Sequence, residues 1–156
     1  MNKVMLLTGL LFVPFNTSAS TCANESLSGA YNYNLPINNP VGRYNVGRIN
    51  FSIKSNGNAS VTVNGEEGDA GIGSFRPYTG SGTYSVSKAC VATVIFNAYG
   101  STPDSGYGST ITMSIYLDQM DDIPATRLAY HGNVIYNSSA DGAAAGTIDR
   151  VIGKFQ

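Results

Sequence analysis

The sequence predicts an all-β fold, with about eight antiparallel strands in meander order closed into a small barrel. Three observations carry that expectation. Apolar residues recur at every second position in segment after segment. No segment holds a helical period. Turn residues, among them 18 Gly and 6 Pro, separate the alternating runs at hairpin spacings. An open meander would leave its first and last strands with unpaired backbone, and closing the sheet removes both edges. A two-sheet β-sandwich is the competing architecture.

The strands follow in order. "LSGAYNYNL" opens the body of the chain. "RINFSIK" puts Ile49, Phe51 and Ile53 on one face and Asn50, Ser52 and Lys54 on the other. "ASVTVN" continues with Val61 and Val63, and "SNGN" between the two supplies the Asn-Gly pair that a tight hairpin needs. "GTYSVS" alternates through Tyr84 and Val86; a turn at Lys88-Ala89 leads to "VATVIFNA", with Val94 and Phe96 on one side. "TITMSIYLD" sets Ile111, Met113, Ile115 and Leu117 against Thr112, Ser114, Tyr116 and Asp118. "RLAYHGNVIY" gives Leu128, Tyr130, Val134 and Tyr136, and "GTIDRVIGKF" closes the chain. "EEGDAGIGSFRPYTGSG" and "NAYGSTPDSGYGS" read as long glycine-rich loops, and "LDQMDDI" as a short helical turn stopped by Pro124.

Residues 1–20 have the order of a secretory signal: Lys3, an apolar run from Val4 to Phe15, then small residues. Cleavage is expected between Ser20 and Thr21, with Ala19 as second choice, leaving one domain over 21–156. The apolar run is shorter than the roughly 20 residues of a membrane span, and no other stretch is long enough. Lipidation of Cys22 would want a Leu-like residue three positions earlier and Gly, Ala or Ser directly before it; Ala19 and Thr21 stand there. The expected location is secreted or periplasmic.

That compartment is oxidising, and the chain has two cysteines, Cys22 and Cys90. Their pairing would tie the mature N-terminus to the middle of the chain, a stabilisation of roughly 4 kcal/mol in the chain-entropy model. The alternative is a reactive thiol at Cys90, for which Lys88 is a modest nearby cation.

Composition excludes several functions. Charged residues make up 12% of the chain and the net charge is -1, with the basic residues scattered. Nucleic acid and anionic lipid both need clustered Lys and Arg. His131 is the sole histidine, so no zinc or copper site and no cofactor is expected. As a general base it would need Asp118 or Asp149 nearby in space. Glu66, Glu67 and Asp69, and Asp118, Asp121 and Asp122, lack the alternating spacing of a calcium loop. No pair of carboxylates is singled out for glycosidase chemistry. The glycine clusters lack the lysine and following helix of phosphate loops.

Four stretches taken together, "CANESLSGAY", "GRINFSIKSNGNAS", "GTYSVSKACVATV" and "GTIDRV", resemble small secreted bacterial barrels of the calycin-like, allene oxide cyclase barrel-like type. The resemblance runs from Cys22 to about Val151 and rests on turn glycines, strand aromatics and a cysteine. It implies a barrel and a Cys22–Cys90 disulfide, and no catalytic residue. The Gly-x-Trp signature of lipocalins is absent, since the chain has no Trp.

The functional expectation is an exported, non-enzymatic barrel that binds a small apolar ligand, or a protein or glycan at its surface. An eight-stranded barrel either fills with side chains or holds one small molecule. The ligand contacts expected from strand phase are Phe51, Tyr84, Phe96, Met113, Tyr130 and Arg150. An isomerase or cyclase acting inside the barrel is the enzymatic alternative, with Tyr130 or Arg150 as its buried polar group. A solidly filled barrel acting through its surface is the third reading.

Overall fold

The computed structural model of the chain describes residues 21–37, 43–69, 73–100, 108–121, 127–138 and 142–152. The expected signal segment, 1–20, lies outside them. A short 3-10 helix, Asn24–Leu27, leads into eight strands: β1 (Gly29–Ile37), β2 (Arg43–Ile53), β3 (Ala59–Asp69), β4 (Ser74–Val86), β5 (Val91–Gly100), β6 (Gly108–Met120), β7 (Ala129–Ser138) and β8 (Gly142–Arg150). Each pairs antiparallel with the next, and β8 returns to β1 through Tyr31↔Arg150 to Asn34↔Thr147. The sheet is a closed barrel, and the sandwich is ruled out.

Alternation puts hydrocarbon inside. Ile49, Phe51, Val61, Val63, Tyr84, Val94, Phe96, Met113 and Ile115 are all buried, as their strand phase predicts. Tyr31, Tyr136, Leu35 and Ile148 complete a packed interior. Outward positions carry Ser, Thr and Asn, with rungs such as Ser52–Ser60 (2.9 Å) and Thr110–Asn97 (3.0 Å). This polarity is the reverse of a barrel that faces lipid. No described helix is long and apolar enough to cross a membrane.

The Asn56-Gly57 hairpin forms as expected. Gly57 takes φ +81°, its N–H donates to Lys54 O (2.8 Å), and Asn58 N–H donates to Asn56 Oδ1 (3.1 Å). The segment expected as a long loop between Glu66 and Gly82 is largely strand instead, the ends of β3 and β4. Two inward positions of β4, Gly80 and Gly82, carry no side chain, and the next two hold Tyr78 and Arg76, so a run of alternating apolar residues is missing there. Neighbouring aromatic rings fill the vacated space. A Cβ on Gly47 or Gly65 would collide with the Tyr33 hydroxyl, and one on Gly80 would lie 2.7 Å from Phe96.

Two further expectations are corrected. "LDQM" continues β6 to Met120 and is not helical. Tyr130 faces solvent (39% exposed), and Ala129 takes the inward place. Opposite β7, the register slips from Leu117↔Gly132 to Gln119↔His131 and Met120↔Ala129. This bulge leaves Tyr130 and His131 both outside and flips the phase before it.

The end of the barrel nearest the N-terminus, its base, is plugged. Leu27 is fully buried in the core, and the preceding Cys22 is bonded to Cys90 with Cα atoms 5.0 Å apart. Val86 N–H donates to Asn24 Oδ1 (2.8 Å) and the Tyr84 hydroxyl to Asn24 O (3.1 Å). Tyr31, Phe51 and Tyr84 meet edge to face, at 5.6 and 5.0 Å between centroids. The Tyr31 hydroxyl donates to Ala129 O (2.6 Å) and accepts from Arg150 Nη1 (3.0 Å). Arg150 therefore turns towards the core at the base.

Three outcomes follow from this packing. Reducing the disulfide, or replacing both cysteines by serine, should lower stability by about 4 kcal/mol, because the bond closes a long loop in the unfolded chain. Urea denaturation measures this, and an unchanged midpoint would show that Asn24 and Leu27 hold the plug unaided. Gly65→Ala should cost about 1–3 kcal/mol by forcing Tyr33 aside, again read from the urea midpoint, and Gly65→Ala with Tyr33→Phe should recover part of it. Alkali should also unfold the barrel. Burial, with smaller repulsions from Glu25 and Tyr31, pushes the Tyr84 phenol up to about 12. Burial raises Tyr31 too, against the opposing pull of Arg150. The folded state then keeps protons that the unfolded chain releases near pH 10. This stabilisation is complete below about pH 10 and is lost as the pH rises towards 12, a trend that Tyr84→Phe should blunt.

Candidate functional site

The opposite end of the barrel is built differently. The β1–β2, β3–β4, β5–β6 and β7–β8 connections all leave from it. Here the interior changes from hydrocarbon to polar. Asn45 (4% exposed), Ser109 (6%) and Ser138 (5%) are buried at this end. The remaining buried polar residue among those described, Ser26, is at the base, where its hydroxyl accepts from Ala23 N–H (3.2 Å).

A hydrogen-bond relay organises these groups. The Tyr33 and Tyr78 hydroxyls are 2.5 Å apart, and the Tyr78 hydroxyl donates to Asn45 Oδ1, also at 2.5 Å. Both phenols fit because Gly47 and Gly65, a directly paired couple on β2 and β3, present no side chain to them. Burial, then the neighbouring Tyr78, drives the Tyr33 phenol far above its ordinary range, so it stays protonated and donates. With Oδ1 engaged, Asn45 keeps its Nδ2 as the free side of the amide. Above it, Glu67 pairs with Arg43 at 3.6 Å.

These residues surround a small cup of about 30 Å³. Its apolar wall is Ala98, Ile111, Tyr136 and Pro77; its polar wall is Asn45, Tyr78, Ser109, Glu67 and Arg76. The space suits one or two waters or the head of a small ligand. A wider dish of about 410 Å³ lies outside the wall, bounded by Val46, Asn64, Glu66 and Thr79. It gathers no buried polar side chain.

The residues expected from strand phase to contact a ligand are not brought together at an opening. Phe51, Tyr84, Phe96 and Met113 are sealed in the core. Arg150 is at the base, over the Tyr31 ring (5.5 Å), and Tyr130 is outside. The cup residues went unnoticed because Arg76 and Tyr78 fall in a stretch read as loop, and Asn45 precedes the clean alternation of β2. A signal was present: Asn45 shares the odd-numbered phase of Ile49 and Phe51.

His131 does find the carboxylates it would need. Its Nδ1 is 2.6 Å from Asp149 Oδ1 and its Nε2 4.0 Å from Asp118 Oδ2, which also accepts from Asn133 Nδ2 (3.0 Å). The group sits on the outer wall across β6, β7 and β8, remote from the cup. Among the described residues no cluster of three His, Cys, Asp or Glu is arranged to hold a metal.

The chain matches no protein-family model and no curated protein. Among solved structures it is similar to a redesigned β-barrel, mFAP1, bound to DFHBI: the TM-score is 0.55 at 17% identity, covering 82% of this chain and 98% of that one. A second redesigned barrel, mFAP0, also bound to DFHBI, gives a TM-score of 0.47 at 18% identity over 80% of this chain and 98% of that one. The mFAP1 likeness shows the fold: a closed eight-stranded antiparallel β-barrel.

Proposed function

We propose that the protein is an exported, non-enzymatic barrel that binds a small ligand in the cup at the end opposite its base. The observation that carries this reading is the distribution of polar groups inside the barrel. The centre is packed with hydrocarbon, while Asn45, Ser109 and Ser138 gather at the end that holds the cup. Binding sites combine an apolar wall with a few convergent polar groups in this way. The mFAP1 barrel, bound to DFHBI, is a case in which the same architecture carries a small molecule. Export is supported by the leader-like residues 1–20 and by a disulfide with one buried partner, Cys22.

An isomerase or cyclase would need a substrate beside a polar group inside the barrel. Arg150 and Tyr31 are such groups, but they are bonded to each other and sit against packed rings. A surface partner is the second reading. The outer wall of β5, β6 and β7 exposes Ile95, Tyr99, Tyr116 and Ile135.

NMR titration of the oxidised protein with small aromatic compounds separates these readings. Shifts should cluster at Ala98, Ser109, Ile111 and Tyr136, and Ile111→Trp should abolish them by filling the cup. Shifts confined to Ile95, Tyr116 and Ile135 would move the site to the outer wall.

A further inference from the structure

We propose that the cup is made for a small planar carboxylate, gripped by Arg76, Asn45 and Ser109 beside Ala98, Ile111 and Tyr136, with its apolar body at the rim by Pro77 and Gly100. This rests on the cup being the binding site and specifies what it takes.

The acceptor oxygen of Asn45 is taken by the Tyr78 hydroxyl, so the amide offers only its N–H₂ donors to the cup. Ser109 is buried (6% exposed), and its hydroxyl makes no hydrogen bond to another described residue. Arg76 lines the cup from an exposed position and makes no ion pair or hydrogen bond among the described residues. The one carboxylate on the lining, Glu67, is engaged by Arg43. The groups left open are thus an amide N–H₂, a hydroxyl and a guanidinium. The amide N–H₂ and the guanidinium can only donate, the hydroxyl can donate too, and Arg76 adds a positive charge, so the group that complements all three is an anionic acceptor. A guanidinium fork matches the two oxygens of a carboxylate and confers planar recognition that a point charge does not. A cationic ligand would instead meet Arg76 and find Glu67 already paired.

Size narrows the class. A cup of about 30 Å³ admits a head group and no chain. Beneath it, Phe96, Val94, Met113 and Ile115 are fully or almost fully buried, leaving no channel for a long acyl tail. The apolar body must therefore lie at the rim, where Pro77 is exposed and Gly100 half-buried. Aromatic or short branched acids fit this description; long-chain fatty acids do not.

Three probes of one shape test the assignment: benzoate, benzamide and benzylamine, titrated by NMR into the full oxidised chain. Benzoate should bind about tenfold more tightly than benzamide, the scale of one charge-assisted contact, and benzylamine should leave the cup shifts unmoved. Arg76→Gln should bring benzoate down to the level of benzamide without changing benzamide itself. Arg48→Gln, on the outer wall, should preserve the preference and controls for net charge. If benzamide or benzylamine shifts the cup residues as strongly as benzoate, the carboxylate assignment is wrong while the site stands. If none of the three shifts them, the assignment and the site both fall.

Discussion

Closure of the barrel depends on the seam between β1 and β8. It is the shortest ladder in the sheet, four residue pairs from Tyr31↔Arg150 to Asn34↔Thr147. Without it the meander would have two free edges. Side chains reinforce what the backbone does sparingly. Tyr31, at the end of the seam, reaches across the interior to the Ala129 carbonyl on β7, and Arg150 on β8 donates back to the same hydroxyl. Gly29 permits this: it takes φ +120°, and a side chain there would press on the Arg150 guanidinium. The Cys22–Cys90 bond then anchors the chain just ahead of β1 to the start of β5. The base is closed by covalent, polar and apolar contacts together.

The same packing logic shapes the end opposite the base. The interior must be filled, and on β2, β3 and β4 it is filled by exchange: glycines withdraw their volume and tyrosines or phenylalanine enter from neighbouring strands. At Gly47 and Gly65 the exchange brings in two phenols with hydroxyls that need partners. They satisfy each other and Asn45. The polar character of the cup is thus a consequence of how the sheet bends and packs near its mouth. An amide oriented by a buried relay loses little freedom on binding, which is how preorganised sites gain affinity.

Much of the fold was legible because side-chain period reports directly on which face of a strand is buried. Ile49, Phe51, Val61, Val63, Val94, Phe96, Met113 and Ile115 were placed inside by phase alone, and the Asn56-Gly57 turn by its residue types. Legibility failed where the backbone departs from regular pairing. Tyr130 was misplaced because one bulge against β6 reverses phase without any mark in composition. The run from Glu66 to Gly82 looked like loop because glycine and polar residues stand at its inward positions: Gly80, Gly82, Tyr78 and Arg76. The candidate site suffered most, since Arg76 and Tyr78 lie in that run and Asn45 is a polar residue at a core position.

By itself the sequence determined the class of fold, most of the core and a pair of cysteines with one way to join. These follow from local periodicity, turn chemistry and counting, none of which needs distant residues to be placed. Only the tertiary structure decided that the barrel is filled, that its base is plugged and that donors converge at the opposite end. Those properties arise between strands far apart in the chain: Tyr33 with Tyr78, Tyr31 with Ala129 and Arg150, Asn45 with Ser109. Their meeting depends on register, bulges and the volume left by glycines, and it exists only once the sheet has closed on itself.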